Sequence, residues 1–263
     1  MKRKGNLVRQ ILYKYLPLES YLRILSRLYL TSFNWGLLKG NRLYEYPYFL
    51  KNVIGTGDIC IDVGANLGYY STVLSKLAGP QGRVYAIEPV EPVRKVLETN
   101  TRRYKNIEIL PYALGEEDTT IQISNTTFRE KGFLASGSFF VSDRKSGRRP
   151  DETIAFTASM KKGSKLFLHL ERLDFIKCDI EGYEIVVLPE LEPLILKFRP
   201  VLLVETAGTN REKLLERFRN NGFEGYILTE GTLTKATKEG TKDIFFVPEE
   251  KNEMIEPFLK IGN

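Results

Sequence analysis

With 263 residues, of which 42% are hydrophobic and 27% charged, the chain has the size and composition of one large globular domain with a substantial apolar core. It contains no run of about 18 apolar residues, which excludes a membrane-spanning helix. Lys2, Arg3 and Lys4 are followed by the interruptions Arg9, Lys14 and Glu19 and by no small-residue cleavage site, which argues against a secretory signal.

The formal charge of +6 is unevenly placed. Residues 1–57 hold ten Lys or Arg against two Glu, a net of +8, together with seven of the fourteen tyrosines. Leu18, Leu22, Leu25 and Leu28 fall at helical spacing after Pro17, with Arg23 and Arg27 between them. A second helix is expected from Arg42 towards Ile54, kinked at Pro47. This leading segment reads as a basic helical extension, and basic, tyrosine-rich helices suit the surface of an anionic membrane. A helical cap packed on the core with a basic outer face is the competing reading.

From Gly55 the rhythm changes to short apolar runs alternating with helical stretches. Strands are predicted over 59–63, 83–87, 107–110, 175–178, 201–204, 223–228 and 243–247. Helices are predicted over 69–77, 91–104, 185–196 and 211–220, with Pro189 and Pro193 interrupting the third. Such alternation predicts an α/β fold, a mostly parallel sheet covered by helices on both faces. Residues 58–248 form the expected domain, and 249–263 a C-terminal tail helix. Residues 115–165 break the pattern. Thr120–Ser124, Ser138–Ser142 and Thr153–Thr157 alternate with period two and predict a β-rich insertion or flap. It carries two basic clusters, Arg144–Arg149 and Lys161–Lys165, which read as solvated loops.

Cys60 and Cys178 each lie in an apolar, strand-like run and read as buried free thiols. Two Cys and one His give no zinc spacing. The single histidine, His169, sits in an irregular stretch and reads as structural or surface.

The chemistry concentrates at strand ends. Ile59, Ile61 and Val63 bury the first strand, and Gly64 and Gly68 flank a tight turn that opens a helix. Glycine lets backbone approach a ligand closely, and the helix start offers unpaired N–H groups. Glu88 ends the second strand, where a carboxylate accepts hydrogen bonds from both ribose hydroxyls of a nucleoside. Asp62, the glycine turn and Glu88 at βαβ spacing therefore predict a nucleoside cofactor. A dinucleotide site would need Gly-x-Gly-x-x-Gly, whereas this chain has Gly64-Ala65-Asn66-Leu67-Gly68-Tyr69. Asp62 would also repel a pyrophosphate. S-adenosylmethionine (SAM) carries no phosphate and has an ammonium group, which suits an acidic turn.

Ile61–Gly68, Ala86-Ile87-Glu88-Pro89, Tyr112-Ala113-Leu114-Gly115 and Phe175–Glu184 together resemble the FkbM family of class I (Rossmann-like) SAM-dependent methyltransferases. The resemblance covers residues 55–247. It implies a seven-stranded sheet whose last strand is antiparallel, and methylation of a hydroxyl, often on a sugar or a polyketide. It places Asp62, Gly64, Ala65, Asn66 and Gly68 in the SAM pocket, Glu88 at the ribose and Ala113 near the adenine. One departure is the stretch Leu166–Glu171, which stands where members commonly carry Thr-Leu-Asp.

Asp179 and Glu181 have a logic of their own. They follow the apolar run 175–178, and in open α/β sheets ligands bind at the carboxyl ends of strands. A hydroxyl is a poor nucleophile until its proton leaves, and a positioned carboxylate can take it. Both residues are expected to be catalytic, with Glu205 a weaker candidate of the same kind. Capping of the helix near Tyr183 is the alternative. No metal is expected at Asp179, Glu181 and Glu205, because no flanking Asn or His completes a ligand set.

The expected function is thus SAM-dependent O-methylation of a hydroxyl on a small-molecule or glycan acceptor, by direct SN2 displacement. Its rivals are a nucleic-acid methyltransferase and a catalytically silent SAM-binding partner protein. No nucleic-acid partner is expected, because the basic excess lies in the leading segment and the core carries no Asn- or Asp-Pro-Pro-aromatic signature. The expected location is the cytoplasm, with residues 1–57 touching the inner face of an anionic membrane or a lipid-linked glycan.

Overall fold

A computed structural model describes residues 2–125, 127, 131–141 and 154–260. The strands β1 (Ile59–Val63), β2 (Arg83–Ile87), β3 (Ile107–Leu110), β8 (Phe175–Cys178) and β9 (Val201–Glu205) pair in parallel in the order β3-β2-β1-β8-β9. β12 (Asp243–Pro248) then enters antiparallel to β9 and is flanked by β10 (Phe223–Thr229). The expected antiparallel last strand is therefore present.

Among the described residues the sheet has eight strands, where the family resemblance implies seven. The extra one, β11 (Thr232–Lys235), forms a hairpin with β10. Glu230 and Gly231 carry its turn, both at positive φ. Only Leu233 of β11 is buried, so the strand has little hydrophobic signal; it exists because β10 offers it an open edge.

Helices α4 (Tyr69–Ala78), α5 (Glu91–Thr101), α6 (Glu184–Glu190), α7 (Glu192–Phe198) and α8 (Gly208–Asn220) cover the sheet. The helix expected over 185–196 is divided at Leu191 into α6, which holds Pro189 within it, and α7, which has Pro193 in its first turn. Alternate residues of β1 enter opposite cores: Ile61 and Val63 one, Cys60 the other. Both cysteines are buried and free. His169 is exposed, with Nδ1 3.1 Å from the Leu166 carbonyl oxygen.

Among the described residues the insertion contributes β5 (Thr119–Asn125), β6 (Phe139–Val141) and β7 (Ile154–Lys161), which with β4 (Tyr112–Leu114), just before it, form a separate four-stranded sheet in the order β4-β7-β5-β6. Ser142, Thr153 and the cluster Arg144–Arg149 lie outside the described residues, as do 261–263. The C-terminal tail from 249 to 258 is a series of short turns rather than one helix.

The leading segment forms α1 (Lys2–Tyr15) and α2 (Leu18–Asn34), and then, around α3 (Glu45–Phe49), a run of short helical turns where one kinked helix is expected. Tyr21 and Leu22 of α2 pack with Val93 and Val96 of α5 and with Phe133 of the insertion. Tyr46, Phe49, Leu50 and Ile54 join the core beneath the sheet. The Tyr46 hydroxyl donates to the Asp243 carbonyl oxygen at 2.7 Å and accepts from the Leu228 amide at 3.0 Å. The leading segment is therefore built into the domain.

Candidate active site

A cavity opens at the carboxyl ends of β1, β2 and β8, the position at which open α/β sheets bind ligands. Its empty space, counted out into the open mouth, is about 900 Å³. Gly64, Ala65, Asn66, Glu88, Ala113, Asp179 and Glu181 all line it.

The glycine turn is tight because strand β8 presses on it. A Cβ on Gly64, at φ +79°, would lie 2.1 Å from the Asp179 carbonyl oxygen. The amides of Gly64 and Ala65 donate to the Ile87 carbonyl oxygen at 3.1 and 2.9 Å, fastening the turn to β2. Asn66 adopts φ 51°, a left-handed conformation that costs free energy and concentrates at functional sites.

Glu88 braces this turn from β2. Its two carboxylate oxygens accept from the Asn66 and Val90 amides, each at 2.9 Å. Burial pushes the Glu88 carboxyl up to about 7, against the lowering by these two amides.

Two expected cofactor residues do not line the cavity. Asp62 is wholly buried beneath the turn and faces α4, where the Ser71 hydroxyl donates to its Oδ2 at 2.6 Å. Its strand position points it away from the mouth, and burial pushes its carboxyl up despite Lys177 and Ser71. Gly68 sits one turn further along. A Cβ there would lie 2.8 Å from Leu97 Cδ1 and 3.1 Å from Thr101 Cγ2, so this glycine lets α4 approach α5 rather than a ligand.

Lys177 is the residue that sequence reasoning missed. It is the register partner of Asp62 across β1 and β8, and Asp179 follows two residues later on the same face. Its ammonium therefore lies between them, 3.7 Å from Asp62 Oδ1 and 3.2 Å from Asp179 Oδ2. It also donates to the Gly64 carbonyl oxygen at 3.2 Å and lies 5.1 Å from the Tyr70 ring centroid. Burial opposes its charge, but Asp179 and Asp62 outweigh that and hold the ammonium above its ordinary range. The available signal was a cation in the otherwise apolar run Phe175-Ile176-Lys177-Cys178.

After β8 the chain turns through Glu181 at φ 57° and Gly182 at φ 102°. Glu184 closes the turn, accepting from the Ile180 amide at 2.7 Å and the Gly182 amide at 3.3 Å. The capping considered for Asp179 and Glu181 thus falls to Glu184, and the other two face the cavity. Burial would raise the Asp179 carboxyl, but Lys177 and a hydrogen bond with Glu205 hold it below its ordinary range. Glu205, at the end of β9, is pushed up by burial and by the Asp179 charge.

Carboxylate oxygens of Asp179, Glu181 and Glu205 come within 4.8 Å of one another. Lys177 and Lys242, the latter 2.9 Å from Glu205, already supply cations to this group.

The insertion supplies the remaining wall through Ile123, Ser136, Gly137, Phe139, Phe140 and Val141. Gly137 comes close to the glycine turn: a Cβ there would lie 3.6 Å from Asn66 Nδ2. The cavity floor is thus fixed by the sheet, and its apolar side by a segment far away in sequence.

The sequence profile of the methyltransferase FkbM domain matches residues 62–224. The AMB antimetabolite synthetase AmbE of Pseudomonas aeruginosa is 29% identical over 214 residues, 66% of this chain and 10% of that protein. The protein-L-isoaspartate O-methyltransferase of Methanosarcina mazei is 34% identical over 59 residues, 22% of this chain and 24% of that protein. The chain thus spans about a tenth of the first relative and about a quarter of the second. Among solved structures, the methyltransferase FkbM of Methylobacillus flagellatus is similar at TM-score 0.47 and 16% identity, covering 76% of this chain and 50% of that one. Fibrillarin of Aeropyrum pernix, crystallised with natively bound SAM, is similar at TM-score 0.44 and 14% identity, covering 76% and 72%.

Proposed function

The chain belongs to the FkbM methyltransferase family and is a SAM-dependent methyltransferase, and from that premise we propose that it methylates a hydroxyl of a sugar, a glycan or a related natural product. The observation that carries this reading is the Asp179 carboxylate, kept ionised by Lys177 at the cavity wall and hydrogen-bonded to Glu205.

The cavity suits the cofactor. Asn66 Oδ1 is buried at its wall and, among the described residues, has no hydrogen-bond donor. Such an acceptor is costly to leave unmet and fits a ligand rich in N–H and O–H donors. Glu88 would hold the ribose, the Gly64–Asn66 turn the amino-acid end, and Ala113 with Leu114 the adenine. When bound, SAM supplies an electrophilic methyl group on a sulfonium centre.

The protein's own part is orientation and proton removal. Asp179 accepts the proton of the acceptor hydroxyl as that oxygen forms its new bond to carbon. Asp179 and Glu205 share a hydrogen bond, so the proton passes into a carboxyl pair rather than to water. Glu181 offers a second acceptor for neighbouring hydroxyls, as sugar recognition requires. The apolar wall of Ile123, Phe139 and Phe140 limits water at the reacting atoms.

The test is to incubate the chain with SAM and a panel of nucleoside sugars, glycans and hydroxylated natural products, and to measure S-adenosylhomocysteine. Release that depends on a free acceptor hydroxyl supports the reading. Turnover only on an amine or carboxylate acceptor would overturn it.

A further inference from the structure

The first 43 residues carry apolar side chains that the fold does not use. On α1, Leu7, Val8, Ile11 and Tyr15 lie along one helical face and are all exposed, Leu7 at 57% and Tyr15 at 71%. Leu12 and Tyr13, on another face of the same helix, and Leu16 just after it pack against the body. The Gln10 side chain donates to the Lys131 carbonyl oxygen at 2.7 Å, and Tyr13 packs edge-on to Tyr21 with centroids 5.3 Å apart. The helix is therefore held down on one face while its second apolar face points outward. α2 continues the pattern with exposed Ile24 and Leu28, one turn apart. Beyond it the chain's single tryptophan, Trp35, is 76% exposed and Leu43 is 82% exposed.

Basic side chains are interleaved with these groups. Arg9, Lys14, Arg27 and Lys39 are all exposed, within the segment of net charge +8. Exposed leucines and a tryptophan beside lysines and arginines fit an anionic lipid surface, which accepts the apolar groups between its headgroups and attracts the cations. A nucleic-acid backbone offers no place for the leucines. A second copy of the chain would set +8 against +8. We propose that the outer face of α1 and α2 and the Trp35–Leu43 loop dock this protein on an anionic bilayer.

Docking there brings the active site close to the lipid. Tyr29 of α2 contacts Tyr69, a cavity wall residue, with ring centroids 4.2 Å apart. An acceptor carried on a lipid would then reach the cavity across the thickness of one helix. That consequence rests on the proposed acceptor class, whereas the docking itself does not.

Trp35 provides the readout. The full chain is mixed with phosphatidylcholine vesicles, with or without phosphatidylglycerol, and followed by co-sedimentation and tryptophan emission. The expected result is binding and a blue shift with phosphatidylglycerol only, reversed by added salt. Leu7→Gln with Ile11→Gln, and separately Lys14→Glu with Arg27→Glu, should each weaken partitioning by roughly tenfold. All four positions are exposed, so SAM binding and thermal unfolding of these variants should match the parent. Unchanged Trp35 emission with anionic vesicles would overturn the proposal. So would equal binding to neutral vesicles, or a dimer in light scattering that the Leu7→Gln, Ile11→Gln variant abolishes. Loss of turnover on every hydroxyl acceptor, with vesicle binding intact, would overturn only the acceptor reading.

Discussion

Lys177 and Asp62 are register partners on adjacent parallel strands, both out of water, with Nζ 3.7 Å from Oδ1. The ion pair stands under the glycine turn and, through Asp179, reaches the cavity wall. Removing Lys177 leaves the buried Asp62 carboxyl without its cation, which costs more than the intact pair contributes, whereas removing Asp62 leaves Lys177 still paired with Asp179.

Lys177→Met should therefore destabilise the fold by about 3–5 kcal/mol. The double variant Lys177→Met, Asp62→Asn should recover part of that loss. Denaturant unfolding of the two variants checks it; equal loss in both would show that packing, not charge, sets the cost.

Asp179→Asn should lower kcat by about 100- to 10,000-fold, the usual range for loss of a proton-accepting group, while SAM affinity stays close to the parent value. Steady-state kinetics with calorimetry separates the two. A large loss of affinity at unchanged kcat would reassign Asp179 to cofactor binding.

Gly64→Ala and Gly68→Ala should differ in kind. At Gly64 the new methyl meets backbone, the Asp179 carbonyl oxygen, so both stability and SAM affinity should fall sharply. At Gly68 it meets the Leu97 and Thr101 side chains, away from the cavity, so stability should fall with SAM affinity largely kept. Positive φ adds about 1 kcal/mol or more to each. Thermal shift and calorimetry on the same samples give the comparison.

Glu88 makes stability depend on pH. Burial raises its carboxyl from 4.5 to about 7 in the fold, so between these values the folded chain holds a proton that the unfolded chain has lost. Its contribution is complete below about 4.5, declines as pH rises, and is gone above about 7. Relative to Glu88→Gln, the parent should lose on the order of 3 kcal/mol across that window and nothing beyond it. Unfolding free energies of both proteins at half-unit pH steps provide the check; a gain with rising pH would contradict the assigned direction.

Much of the candidate site was legible because its parts are short. Gly64, Asn66, Glu88, Asp179 and Glu181 each sit at a strand end within a few residues of a turn. The chemistry of such a turn is written in its own residues. Lys177 was not legible in the same way, since nothing local says that a strand lysine faces Asp62 rather than solvent.

By itself the sequence determined the alternation of strands and helices, the glycine turn, the acidic strand ends and the β-rich character of residues 115–165. These follow from local backbone preference and from apolar period. Tertiary structure alone decided that Lys177 sits between Asp62 and Asp179, that Gly68 serves the packing of α4 on α5, and that Phe139 and Phe140 line the cavity. It also decided that β11 adds an eighth strand. Each of these depends on which strands become neighbours and in what register, and register is set by pairing between segments far apart in the chain.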